Sequence, residues 1–488
     1  MNAWQQLSVN ALLGTQKNTA PIVWPSTELN QINQQLSAHH APLLAQLALM
    51  SVYQRAGQQA TKLTPQEPAQ SDTKQASTLA QQQPLTYLLS HEGQDYLSIW
   101  LKLAAQQNVY FSYALLPNLL ALGTQNKKWR LEIGAVAGTR GTWLATQNSE
   151  WSWLIGAQID LNNEQLNDYW HTTTIATREL IFERLRQQQP AQALVFLQQI
   201  WGEETAATRK TLLEKLAINL TFSDHDFLEQ CLDDRSKIVK EVAVDLLARV
   251  AQSNLQQRMQ HQLSLIVTLK KGLVLKSLVV DELQSVSERL ERDGLNPKAA
   301  DIRNGFGEKA QWLRDIVACV SLDWLSEHYQ MPAQAFVTAI LKTDWAEAIL
   351  TGLATAAVRQ TQADWLLALL EVDSKKLQLP RFLLFNALAN TAKESYLLGL
   401  LANTSKLNER TSLLNSWLYQ AQSWDWSTQF TIVVMDIYQQ LLKQQQSSQL
   451  HHYLARCGDM NLAQQANQYP QQIVSAWQFR LNLQQAFA

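Results

Sequence analysis

A chain of 488 residues exceeds what one compact hydrophobic core usually organises, so several domains or an extended array of repeats are expected. Its 40 basic and 42 acidic residues leave a net charge of −2, spread along the chain without the basic excess or stripe of a nucleic-acid binder. Charged residues make up 17 %, below the usual ~25 %, and 59 glutamines fill the difference; glutamine favours helix and solvates a surface without charge.

The N-terminal stretch MNAWQQLSVNALLGTQKN lacks a basic segment followed by a long apolar core, so it does not read as a signal peptide. The longest apolar stretch, Leu263 to Val280, is interrupted by Lys270, Lys271 and Lys276, which argues against a membrane span. Cys231, Cys319 and Cys457 lie far apart in apolar helical contexts, without the spacing of a zinc site. Such sparse thiols fit buried positions in a reducing, cytoplasmic compartment.

Residues 1–54 read as N-terminal helices, with Leu43, Leu44, Leu47, Leu49 and Val52 on an apolar face. Residues 55–84 hold three prolines, much Gln, Ser and Thr and almost no large apolar residue, the composition of a poorly ordered linker. Residues 85–262 resume helical patterning and end in an internal repeat. Segments starting at Ala176 (ATRELIFERL), Ala207 (ATRKTLLEKL) and Ile238 (IVKEVAVDLL) align without gaps at a period of 31. Basic residues recur at Arg178, Arg209 and Lys240, acids at Glu183, Glu214 and Asp245, and leucines at Leu185, Leu216 and Leu247. Second helices ending near Trp201 and Leu232 lie between the copies. Two short helices per ~30–45 residues is the signature of stacked helical repeats, because one such unit cannot bury its apolar face alone.

Within residues 263–308, Leu263, Leu265, Val267 and Leu269 alternate, as do Leu273, Leu275 and Val279, on either side of Lys270-Lys271-Gly272. That pattern predicts a small β-hairpin turning at Lys271-Gly272, followed by a turn-rich connector. Residues 309–488 are again helical, with Asp-Trp pairs at Asp323-Trp324, Asp344-Trp345, Asp364-Trp365 and Asp425-Trp426. Asp can cap a helix N-terminus while Trp packs in its first turn, which reads as degenerate two-helix repeats. The predicted fold class is therefore all-α, a HEAT-like α-helical repeat solenoid with an inserted β-hairpin.

Chemistry-bearing motifs are sparse. Gly138-Thr139-Arg140-Gly141-Thr142-Trp143 is not a phosphate loop, which needs GxxxxGK[ST]; its glycines suit a tight turn between helices, and Arg140 on that turn is a candidate contact for a partner's carboxylate or phosphate. The paired histidines His39-His40 and His451-His452 lie in polar contexts that read as surface rather than metal-ligating. No GxSxG or GxGxxG occurs, and no catalytic residue, cofactor or metal is expected. Seventeen tryptophans suit repeat cores, and exposed ones suit binding hot spots. Trp201 and the turn Asp233-Asp234-Arg235 are the partner-binding candidates, because turn acids at the edge of a helical stack can select a basic partner. The competing reading is that Asp233 and Asp234 cap the helix that follows.

Four stretches carry a resemblance to a known family: ALLGT (Ala11 to Thr15), LLPNLLALG (Leu115 to Gly123), GTRGTWLATQNSEW (Gly138 to Trp151) and LDDRSKIVKEVAVDLLA (Leu232 to Ala248). The chain resembles an uncharacterised bacterial family, the domain of unknown function numbered 5691, although Lys17 and Lys240 stand where Arg is common there. The resemblance implies genes neighbouring MoxR-type AAA+ ATPases, von Willebrand A-domain (VWA) proteins and SWIM zinc-finger proteins. It thus implies a non-enzymatic, protein-binding scaffold or adaptor in an ATPase-driven system. The alternative is a nucleic-acid-binding HEAT-like protein, which the balanced charge disfavours.

Overall fold

The computed structural model describes residues 2–14, 21–36, 41–57, 67–161, 166–271, 276–298, 307–373, 377–421 and 423–488. They form two compact units, Met1–Pro68 and Ala69–Ala488. Helix dominates at 69 % against 3 % strand, so the all-α class holds.

The first unit contains the helices Ala3–Leu13, Thr27–Leu36 and Pro42–Ala56. The Asn2 side chain accepts the N–H of Gln5, and the Gln5 side chain accepts the N–H of Asn2, which closes the first helix with a reciprocal cap. Its core is small: Ala3, Leu7 and Met50, with Trp4, Ile22, Trp24, Leu43 and Leu47 packed at the edge. The apolar face expected on the third helix is therefore split. Leu43, Leu47 and Met50, spaced four and three apart, turn inward, whereas Leu44 and Val52 are exposed.

The second unit begins inside the segment expected to be a linker. Residues 58–66 lie outside the described residues, but from Ala69 on the chain is built into the fold. Gln75–Ala76 pairs in parallel with Val109–Tyr110, and Thr78 and Gln81 form a capping box on the helix Leu79–Gln82. The Trp100 indole N–H donates to the Gln81 carbonyl at 2.8 Å. Composition missed this order because the segment is held by backbone and side-chain hydrogen bonds rather than by apolar burial of its own.

Further along, the helix Asn254–Ile266 runs into the strand Val267–Lys271, which pairs antiparallel with Lys276–Val280. The register runs from Val267↔Val280 to Lys271↔Lys276. The predicted hairpin is present but four residues shorter at its start. Leu255, Met259, Leu263 and Ile266 form a buried stripe at helical spacing, and that period overrides the alternation read from Leu263 and Leu265. Gly272, the second residue of the predicted turn, lies outside the described residues, as do Leu273 and Leu275. The hairpin is tied to the helices after it by the Tyr329 hydroxyl, which donates to the Val267 carbonyl at 3.0 Å.

The Asp-Trp pairs take a different form from the one expected. Ser321 caps the helix Leu322–Tyr329 and Ser427 caps Thr428–Lys443, so Asp323 falls inside the first turn and Asp425 before the cap. Trp345 itself occupies the cap position of Ala346–Gln360, and Gln362 that of Ala363–Leu370. Asp323 and Asp364 serve the positive end of the helix as first-turn charges instead. The tryptophans do pack, with Trp365 and Trp426 buried and Trp324 and Trp345 half-buried.

The C-terminal helix Gln471–Gln485 returns to the start of this unit and packs on the helix Gln94–Gln106. Phe479 meets Tyr87 and Tyr96 edge-on at ring-centroid distances of 5.3 and 5.5 Å, and Phe487 meets Trp100 at 5.5 Å. Leu483 and Phe487 thereby join the core formed by Leu97, Trp100, Leu101, Leu119 and Ile133. Phe487→Ala is expected to cost about 3 kcal/mol through the cavity left against Trp100. A lowered urea midpoint with faster amide exchange in residues 94–106 checks this closure; an unchanged midpoint rejects it.

Candidate functional site

The repeat region shows how the predicted contact residues are used. Helices Ile175–Gln188, Ala206–Lys215 and Lys237–Leu247 start 31 residues apart, behind the cap residues Thr174, Thr205 and Ser236. The Thr174 and Thr205 hydroxyls accept the N–H groups of Thr177 and Thr208 at 3.3 and 3.2 Å. Arg178, Arg209 and Lys240 are each the fourth residue of their helix, so the three basic positions are equivalent. Arg178 Nη1 reaches both oxygens of Glu204 at 3.0 and 3.2 Å, and Arg209 Nη2 reaches Asp234 Oδ1 at 3.0 Å. Each pair ties the start of one helix pair to the turn that opens the next. Trp170 and Trp201, also 31 apart, lie beneath these guanidinium groups at 5.8 and 5.6 Å. Each meets a phenylalanine edge-on at 5.0 Å, Phe196 and Phe227 respectively, again 31 apart.

A deeper pair holds the other end of the first helix. Arg186, 1 % exposed, forms a two-pronged bond with Asp224 at 3.0 and 3.1 Å. Its remaining donors go to the carbonyls of Pro190, Leu216, Ile218 and Asn219. Such burial is tolerated only because every donor finds an acceptor.

Around the third repeat the charges form a chain. Arg292 donates to Asp233 at 2.7 and 2.9 Å and to Glu229 at 3.3 Å, and Arg258 bridges Glu229 at 3.1 Å and the fully buried Asp293 at 2.6 and 2.7 Å. The hydrogen bonds from Arg292 hold the Asp233 carboxyl below its ordinary range.

These contacts show how the candidate partner residues are held; the Asp233 side chain remains 64 % exposed. Asp234, its side chain 8 % exposed, accepts from Arg209 and from the N–H of Ser236 at 2.8 Å, and Asp233 is held by Arg292. Neither caps the helix after it, whose cap position belongs to Ser236. Trp201 is half-buried under Arg209 and against Phe227, so it belongs to the packing. Arg235 is exposed and has no ion pair among the described residues. Arg140 is exposed too, but it sits inside the helix Gly138–Gln147 rather than on a turn, with its guanidinium 4.7 Å from the Tyr113 ring. Of this motif's two glycines, Gly138 has a left-handed backbone, φ +63°, and a Cβ there would strike the Asp72 carboxylate. That carboxylate accepts the N–H of Thr139 at 2.6 Å and so serves the helix start.

Burial pushes the Cys231 thiol up to about 12 and the Cys457 thiol up to about 11, and it raises that of Cys319 as well. All three are free and buried, as the sequence predicts. His225 is buried, and its Nε2 accepts the N–H of Asn254 at 3.2 Å. Among the described residues no cluster of three or more His, Cys, Asp or Glu side chains is placed to hold a metal ion.

Sequence reasoning missed a cleft of ≈ 560 Å³ where the end of the second unit meets its beginning. One wall comes from residues 94–132 and the other from residues 423–484. Arg456 pairs with Asp95 across it at 3.2 Å. Its residues lie some three hundred positions apart in sequence, and no local pattern announces that they meet.

Arg186→Met, which leaves the buried Asp224 uncompensated, is expected to destabilise the protein by about 3–5 kcal/mol. The double variant Arg186→Met with Asp224→Leu should recover much of that loss, as a denaturation double-mutant cycle reads directly. Because the folded Asp233 carboxyl titrates below its ordinary 3.8, its pairing stabilises the fold above that value and is lost as pH falls through the lower folded value. The gap in melting temperature between wild type and Asp233→Asn should therefore be full near neutral pH and close in acid, and added salt should shrink it. A gap independent of pH would contradict the pairing.

A family model described as a family of unknown function (DUF5691) matches residues 6–487. No curated protein and no solved structure matches the chain.

Proposed function

The chain belongs to the DUF5691 family, and on that premise we propose that it is a non-enzymatic, protein-binding scaffold whose paired helices form a HEAT-like repeat solenoid. The observation that carries this reading is the use of charge at the repeats. Arg178–Glu204, Arg209–Asp234 and Arg186–Asp224 all point inward and stitch one helix pair to the next. A stack joined in this way presents its second helices side by side as a partner surface, which is how helical arrays bind. On the second helix Pro190–Ile200, Val195 is 53 % exposed beside a groove of ≈ 320 Å³ lined by Leu161, Leu166, Leu185 and Phe196. The partners proposed first are a MoxR-type AAA+ ATPase and a VWA-domain protein, the neighbours that the family resemblance implies. A cytoplasmic location goes with that proposal; among the described residues no helix is long and apolar enough to cross a membrane.

The test is reconstitution with the purified ATPase and VWA protein of the same organism, followed by affinity measurement. Saturable binding is expected, weakened about tenfold or more (roughly 1.4 kcal/mol) by Val195→Glu or Arg235→Glu at unchanged melting temperature. A steeply salt-dependent affinity for duplex DNA or RNA, with no affinity for either protein, would replace the scaffold with the nucleic-acid reading.

A further inference from the structure

The core cluster of the first unit, Ala3, Leu7 and Met50, is small, and a small unit buries too little apolar surface to be firmly stable alone. Its third helix, Pro42–Ala56, is apolar on two opposite faces. Leu43, Leu47 and Met50 turn into the unit. On the other side Leu44, Ala48, Val52 and Ala56, spaced four apart, form a stripe that is exposed along its length, with Leu44 at 68 % and Val52 at 57 %. A helix that is apolar all round belongs in a buried setting, so this second face calls for cover.

The stripe itself indicates what covers it. Its side chains run large, small, large about Ala48, so it reads alike in both directions. Two copies laid antiparallel with Ala48 on the twofold axis set each Leu44 against Val52 of the second copy. Ala45 and Ala48 are small enough to let the helices approach to about 8 Å, the close end of helix packing. Charge fits the same occupant. Residues 1–57 contain only Lys17, Glu28 and Arg55 as charged side chains, so two copies meet without strong repulsion and a highly charged partner finds little to pair with. Charge also sets the direction. An antiparallel pair holds the two Arg55 side chains roughly 20 Å apart at 1.5 Å per residue, whereas a parallel pair brings them together and aligns two helix dipoles.

We propose that the outer face of the helix Pro42–Ala56 is a dimer interface, on which a second copy of this chain docks antiparallel about Ala48. One face of a 15-residue helix, about 22 Å long, falls short of the ~800 Å² per partner of a standard interface, so the dimer is weak and forms at micromolar protein. The dimer does not depend on the protein-binding reading above. Where both hold, one assembly presents two partner surfaces and gains from bivalency.

The experiment is analytical ultracentrifugation of the full chain from micromolar to submillimolar concentration. A reversible equilibrium between the 55.4 kDa monomer and a dimer of twice that mass is expected. Ala48→Glu sets two carboxylates at the axis and should weaken the dimer about tenfold or more, with the melting temperature unchanged at dilutions where the chain is monomeric. Leu44→Glu and Val52→Lys should each weaken it too. The double variant Leu44→Glu with Val52→Lys should regain much of the loss, because in antiparallel register each introduced carboxylate faces an introduced ammonium of the second copy. In parallel register like charges would meet and nothing would be regained. A chain that stays monomeric at the highest concentration, a dimer that Ala48→Glu leaves intact, or a double variant no better than either single one overturns the proposal. So does a dilute monomer whose melting temperature falls sharply with Ala48→Glu, which marks a face covered within the chain instead.

Discussion

Arginine–carboxylate pairing between one helix pair and the next is the constraint on which the middle of this protein depends. A buried guanidinium is costly unless each donor is met, and the attraction to one carboxylate seldom offsets that cost alone. Arg186 meets the requirement with Asp224 and four carbonyls, which is possible only if the turn after Leu216 arrives at the end of the preceding helix in one register. Apolar contacts among Ile181, Leu185, Leu212 and Leu216 supply the larger share of the driving force, but they tolerate sliding. The ion pairs do not. Register thus comes from directional bonds and cohesion from the leucine layers.

The same division accounts for the acids of the turns, which are paired within the fold. Asp234 is shielded beneath Arg209, and Asp233, although exposed, is paired with Arg292. Elsewhere, a cleft opens where the last helix closes on the first helices of its unit. Closure there is aromatic, through Phe479 and Phe487, and it brings opposite charges together without matching all of them.

Much of the architecture was legible before any coordinates. The period of 31 located the equivalent positions of Arg178, Arg209 and Lys240, since a repeated local environment leaves a repeated side-chain type. Val239, Ala243 and Leu247, spaced four apart on one helical face, are fully buried. The alternation around Lys270-Lys271 located the hairpin, with its start misplaced because Leu263 satisfies both a period of two and the stripe of the helix before it. Cap assignments were less secure. At the Asp-Trp pairs and at Asp233-Asp234 a serine or another nearby residue holds the cap position, and one-residue differences of that kind turn on backbone angles that composition does not encode.

What the sequence determined by itself is therefore what is periodic or local: the all-α class, the equivalence of the repeat positions, the hairpin and the apolar setting of the three thiols. Each follows from residues within one or two helices of one another, whose spacing along the chain already states their geometry. Tertiary structure alone decided which charges are consumed in stitching helices together and which are left facing a cleft. Arg480 and Trp129 carry no signal in their own neighbourhoods, and they line one cleft only because aromatic packing returns the end of the chain to residues 85–111. Electrostatic partnership depends on distances of a few ångströms in space, and over hundreds of residues the sequence does not specify them.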